Sequence, residues 1–298
     1  DERNYIKVFT PTDEYVPTYS NNLSYRLNIN LPKKWQEKTN LLRLLGKLSN
    51  QTSWSINKKI TATDLVQRFI PFAQTEDAAL QARQAIFRST FFYNRTSPHF
   101  GVEFMVLNSA QKQLLTNGFE ARNIQEYQTT IRYNLTTFLN AKLTAVADQK
   151  QNLSDFMENR NYLIVSQQLK PEINFQPNPT FRLTGNYVLH LKRNRFTENS
   201  QEQATLQQLG VESRWAKASK RTVSAQLRFT HITFEGEANT PVGYELLEAL
   251  QRGVNWNWSL QWQQQLVNGL QLSLQYDGRK SEGQPVAHLG RVQVTALF

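Results

Sequence analysis

The sequence predicts an all-β fold: an antiparallel up-and-down transmembrane β-barrel of about 12 strands with short helical insertions. Three observations carry that prediction. Segment after segment alternates apolar with polar residues, and a strand turns successive side chains to opposite faces, so each such segment has one apolar and one polar side. One alternating tract, Ile131 to Thr144, outruns the roughly 5 to 6 residues of an ordinary strand and reaches the roughly 9 to 11 that cross a bilayer. Finally, with the last strand ending on one side of a membrane, the turns of the C-terminal half sort into short ones on that side and longer ones on the other, the asymmetry of outer-membrane barrels.

Taken in order, residues 1–20 carry Pro11 and Pro17 with little periodicity and read as an extended entry segment; residues 21–298 read as the barrel. Asn22 to Leu31 sets Leu23, Tyr25, Leu27 and Ile29 against Asn22, Ser24, Arg26 and Asn28. The basic, leucine-containing stretch Lys33 to Ser49 is a loop or a short amphipathic helix, followed by a shorter alternation around Trp54 and Ile56. Thr61 to Gln84 breaks the pattern: Thr63-Asp64 and Thr75-Glu76-Asp77 look like helix starts on either side of Pro71, so a helical insertion over 61–84 is expected. Ile86 to Tyr93 and Phe100 to Leu107 are strands around a Pro-containing loop, and the long tract Ile131 to Thr144 is read as one strand. Ala147 to Asn161 is then a long connection.

Tyr162 to Phe175 and Phe181 to Lys192 flank the turn Gln176 to Pro179; Leu206 to Trp215 and Thr222 to Phe234 flank the basic turn Ala216 to Arg221. In the long connection Glu235 to Gly253, Leu246, Leu247 and Leu250 have helical spacing, which predicts a loop helix over 244–251 ended by Gly253. Asn255 to Gln265, the hairpin signal Asn268-Gly269, Leu270 to Asp277, the loop Arg279 to Pro285 and an alternation ending on Phe298 complete the chain.

Composition narrows the function classes. The 298 residues include no cysteine, which excludes a disulfide framework, a thiolate metal site and a cysteine nucleophile. No run of about 18 apolar residues supports a helical span, and a mean hydropathy of -0.57 is compatible with a barrel because lumen faces and loops are polar. No charged-apolar-small leader opens the chain, so Asp1 reads as a mature N-terminus or as the start of a piece of something longer. The net charge of +10 comes from 34 Lys and Arg spread along the chain, without the clustered basic face or module of a nucleic-acid binder, and no nucleic-acid partner is expected.

On the period-two pattern, Arg132, Lys142, Arg182, Lys192, Arg228, Arg279 and Arg291 fall on the polar, lumen face, where they would favour anions in an open channel or pair with acids in a filled one. Tyr187, Trp215, Trp256, Trp258, Trp262, Tyr276 and Phe298 fall on the opposite face, as interfacial girdle aromatics. His99, His190, His231 and His288 lack paired metal spacing, so no metal site is assigned. His190 beside an Asp or Ser of another strand could imitate a hydrolase site, but no Gly-x-Ser-x-Gly or Gly-rich phosphate loop accompanies it, and neither catalysis nor a cofactor is expected.

The final strand His288 to Phe298, its terminal Phe298 and the upstream Asn268-Gly269 hairpin resemble Gram-negative outer-membrane β-barrel proteins. The segments Tyr244 to Trp258, Tyr276-Asp277-Gly278-Arg279-Lys280 and Gly290-Arg291 to Phe298 look like the C-terminal region of large uncharacterised Bacteroidota-type outer-membrane proteins. The resemblance implies an outer-membrane location, contact with outer-membrane lipid and lipopolysaccharide, recognition of the C-terminal strand by the barrel-assembly machinery, and a chain that is the barrel part of a longer polypeptide. It implies no activity. Three functions are therefore expected in turn: a non-enzymatic structural or assembly component of an envelope complex with other envelope proteins, an anion-favouring porin or uptake channel, and a soluble all-β ligand-binding protein.

Overall fold

The computed structural model describes residues 16–296, apart from 38, 62–63, 71–74, 198–199, 218–219 and 267–268. Phe298, Asn268, Thr63, Pro71 and most of the entry segment thus lie outside the described residues. Within them the chain runs through β1 (Tyr19–Asn30), α1 (Leu41–Leu45), β2 (Leu48–Ile60), α2 (Leu65–Phe69), β3 (Leu80–Tyr93), β4 (Phe100–Leu115), β5 (Gly118–Asn134), β6 (Leu139–Ser154), β7 (Tyr162–Asn178), β8 (Phe181–Asn194), β9 (Gln203–Lys217), β10 (Arg221–Glu235), α3 (Pro241–Leu247), β11 (Gly253–Gln265), β12 (Leu270–Ser281) and β13 (Ala287–Ala296). Each strand pairs antiparallel with the next, giving one 13-stranded sheet in sequence order. Among the described residues no ladder joins β1 to β13, so the sheet is open, where about 12 strands of even parity in a closed barrel were expected.

Two strand boundaries differ from the sequence expectation for identifiable reasons. The tract Ile131 to Thr144 is the end of β5, a turn at 135–138 and the start of β6. Its turn contains no Gly or Pro; the Thr136 hydroxyl instead accepts from the amides of Phe138 (3.3 Å) and Leu139 (3.0 Å), and the alternation passes through undisturbed. The second is the hairpin joining β4 to β5, which turns at Thr116-Asn117 with Gly118 at φ 129°. Asn117-Gly118 is the same signal that marks Asn268-Gly269.

The insertions are shorter than expected. Asp64 caps α2 by accepting from Val66 N at 3.2 Å, but the second expected helix is a single 3-10 turn, Asp77–Ala79, before β3 begins. The loop helix α3 starts earlier than its leucine spacing suggests, because Thr240 caps it through Gly243 N at 3.0 Å and Pro241 enters the first turn. It ends at Glu248, in the left-handed region at φ 54°. Likewise β6 continues to Ser154, which leaves only 155–161 as the connection to β7.

The turn asymmetry holds over the C-terminal half: the connections from β7 to β8, β9 to β10 and β11 to β12, at one end of the sheet, are shorter than those from β6 to β7, β8 to β9 and β10 to β11 at the other. It fails nearer the N-terminus: 31–47 lies with the short turns, and the tight turn at 116–117 with the long ones.

Candidate functional site

Because cross-strand partners share a face, the register assigns every strand residue a side. One face carries Phe104, Ile131, Leu143, Ile173, Leu183, Leu209, Leu227, Leu260 and Val292, exposed and apolar from β4 to β13, with half-buried Leu274 among them. Tyr187, Trp215, Trp256, Trp258, Trp262 and Tyr276 all lie on it. Four of them are banded: Phe181, Trp215, Val223 and Trp262 form one cross-sheet row near the short turns, and Tyr187, Leu209, Phe229 and Trp256 another six residues further along each strand, roughly 20 Å away. Phe229 and Trp256 touch, with ring centroids 4.8 Å apart. Trp258 lies over Gly278 of the neighbouring strand, where a Cβ would sit 2.1 Å from the indole.

All seven sequence-predicted cations lie on the opposite face. Four of them belong to a single row: Arg132, Lys142, Glu172, Asn186, Gly210, Arg228, Asn257 and Arg279 are successive cross-strand partners from β5 to β12. Glu172 is the lone acid of this belt, 3.9 Å from Lys142 and 3.5 Å from Lys170. Arg132 donates to the Ser97 carbonyl at 3.1 Å. Arg182 and Arg291 lie in a second row, together with Arg214, nearer the short turns, and Arg182 is held by two bonds to Gln176 (3.1 and 3.0 Å).

Lys192 sits apart from these rows, beneath α3. There α3 folds back over the polar face and buries Val242, Leu246 and Leu247 against Tyr162, Ile164, Ala204, Leu206 and Ile232, with Leu246 fully buried. These apolar residues interrupt the polar pattern of β7, β9 and β10 at their long-loop ends, where α3 covers them. A chain of polar groups runs beside this contact. Glu248 accepts from Lys192 Nζ at 2.9 Å and meets His190 Nδ1 at 3.0 Å; the other ring nitrogen, Nε2, meets Ser166 Oγ at 3.1 Å, and that hydroxyl donates to Asp148. Lys192 also donates to the Glu245 carbonyl at 3.1 Å, and Lys150 pairs with the Glu245 carboxylate at 3.2 Å. The hydrogen bond from His190 and the charge of Lys192 outweigh partial burial and hold the Glu248 carboxyl down to about 2.

The sequence singled out Lys192 and His190 but assigned Glu245 and Glu248 no role; the helical spacing of Leu246, Leu247 and Leu250 was the available signal that this loop returns to the sheet. No group of three or more His, Cys, Asp or Glu among the described residues has metal-ligand geometry.

No family model and no curated protein sequence matches the chain. Solved structures do. The siderophore receptor PirA from Acinetobacter baumannii superposes with a TM-score of 0.59 at 12% identity, covering 89% of this chain and 41% of the receptor. PirA from Pseudomonas aeruginosa gives 0.55 at 14% identity, covering 87% and 41%. The chain thus spans about two fifths of the receptors it matches. A long up-and-down sheet with one apolar and one charged face, superposing on part of each receptor, defines the fold class as the antiparallel wall of a β-barrel.

Proposed function

We propose that this chain forms part of the wall of a non-enzymatic outer-membrane barrel in a Gram-negative cell, whose cationic interior admits anionic solutes past a docked loop helix. The observation that carries this reading is the belt: Arg132, Lys142, Arg228 and Arg279 share one cross-sheet row with a single acid. A ring of fixed cations inside a low-dielectric wall attracts anions and repels cations. Outer-membrane lipid and lipopolysaccharide would meet the aromatic rows, and the C-terminal strand would be the element offered to the barrel-assembly machinery.

Ser166, His190 and Glu248 have the connectivity of nucleophile, base and orienting acid, and a structural role accounts for them better. The Ser166 proton is committed to Asp148, and Ser166 is buried. Lifting α3 to admit a substrate would carry Glu248 away with it, which favours the structural role.

The envelope-component reading keeps support from one feature. Between β2 and β3, α2 exposes Leu65, Val66 and Phe69, an apolar surface suited to another envelope protein. Planar-bilayer recording of the native polypeptide under a KCl gradient separates the two. An anion-selective reversal potential is expected, shifting toward cation selectivity in Arg228→Glu/Arg279→Glu; absence of current from intact protein would leave the envelope-component reading. Extraction only by detergent, with heat-modifiable gel migration, tests the membrane placement common to both.

A further inference from the structure

The two edges of the sheet carry an inference that rests on the membrane placement proposed above. Along β1 and β13 alternate residues turn their N–H and C=O groups away from the sheet, and in hydrocarbon such groups must find partners. Every residue of β13 is exposed, with Val292 and Val294 at 70% and 61% on the apolar face. The edge is therefore dressed for lipid on one side, while among the described residues its outward backbone groups meet no further strand.

Strand parity determines what can complete it. Successive strands reverse direction, so β1 and β13, both odd-numbered, run the same way. Closing one directly on the other would create a parallel seam in a sheet that is otherwise antiparallel throughout. A second copy fares no better. Joining β13 to a neighbour's β1 repeats the parallel seam, while joining β13 to β13 requires a two-fold axis through the sheet that turns the second copy upside down and sends its long loops to the wrong side of the membrane. Antiparallel closure with a common orientation requires an odd number of added strands.

We propose that an odd number of further membrane-spanning strands of the same polypeptide bridges the edges of β1 and β13. The receptors that share this fold support a single-chain source, since the matching part is 41% of one continuous chain in each.

The 298 residues contain no cysteine, so a disulfide placed within this sheet is assigned without ambiguity. In the native polypeptide, a photo-crosslinking amino acid is placed at Gln293 on β13, or at Ser24 on β1, and captured peptides are identified by mass spectrometry. A disulfide between Gln275→Cys and Arg291→Cys, cross-strand partners on β12 and β13, serves as the register control. Capture of peptides of the same polypeptide outside this sheet, at both edges, is the expected result. Capture of β1 from β13 in the same molecule, of a second copy, or of a separate protein would overturn the proposal. Solubility without detergent while the control disulfide still forms would instead overturn the membrane placement and leave the sheet itself intact.

Discussion

Leu246→Ala tests how α3 is held over the polar face. The leucine side chain is fully buried among Ile164, Leu206 and Ile232, and truncating such a residue costs about 2–5 kcal/mol. Here the cost falls on docking of one loop helix, since the hydrogen-bond ladders of β7, β9 and β10 do not depend on Leu246. A loss of about 3 kcal/mol raises the fraction of undocked helix on the order of 100-fold. Glu248→Gln is the comparison. Its carboxylate is 45% exposed, although Lys192 is only 4% exposed, so loss of its charge should cost about 1 kcal/mol and a several-fold change. Hydrogen–deuterium exchange of the peptide spanning 240–251, in detergent, reads both. Protection lost in α3 but kept in β8 and β9 is expected for Leu246→Ala, with a smaller effect for Glu248→Gln. Unchanged exchange in α3, or equal loss in the strands, would refute the view of a helix docked locally by its apolar contact.

Acid should release the same helix late. Glu248 has its carboxyl held at about 2, below the ordinary 4.5, so its contribution to docking is fully present above pH 4.5 and is lost as pH falls toward 2. A fluorophore on Tyr244→Cys, an exposed α3 position, should report no change from pH 7 to 5 and a several-fold rise in undocked helix below, a rise that the Glu248→Gln protein does not show. On the apolar face, Gly278→Leu should force Trp258 off β12, at about 1–3 kcal/mol, with a lower melting temperature and altered tryptophan emission. Unaltered emission would mean that the indole does not lie over Gly278.

The faces of the sheet were legible before its boundaries were. Trp256, Trp258 and Trp262 could be separated from Arg228 and Arg279 by parity alone, because a strand's period of two survives any error in where the strand ends. Boundaries depend on turns, and turns announce themselves only when they use Gly, Pro or Asn-Gly. Thr136 makes its turn with a hydroxyl, so two strands read as one; Asn117-Gly118 did carry a signal, in a stretch whose polar content masked the strands around it. The belt required still more: Arg132 and Arg279 are brought into one row by seven intervening registers, each of which shifts the row if it slips.

The chain from Asp148 through Ser166 and His190 to Glu248 marks the limit of pattern reading. Three of its members lie on the polar face, where period two predicts a polar residue without saying which. The fourth reaches them only because Leu246 and Leu247 draw the loop back onto Ile164 and Leu206, themselves apolar residues at polar-face positions. Those mismatches are the sequence's own mark of the docking site: on the polar face of β7 and β9, an isoleucine or leucine must be covered by something other than lipid. Leu246 covers them, and the ion pairs of Glu248 follow from that apolar contact.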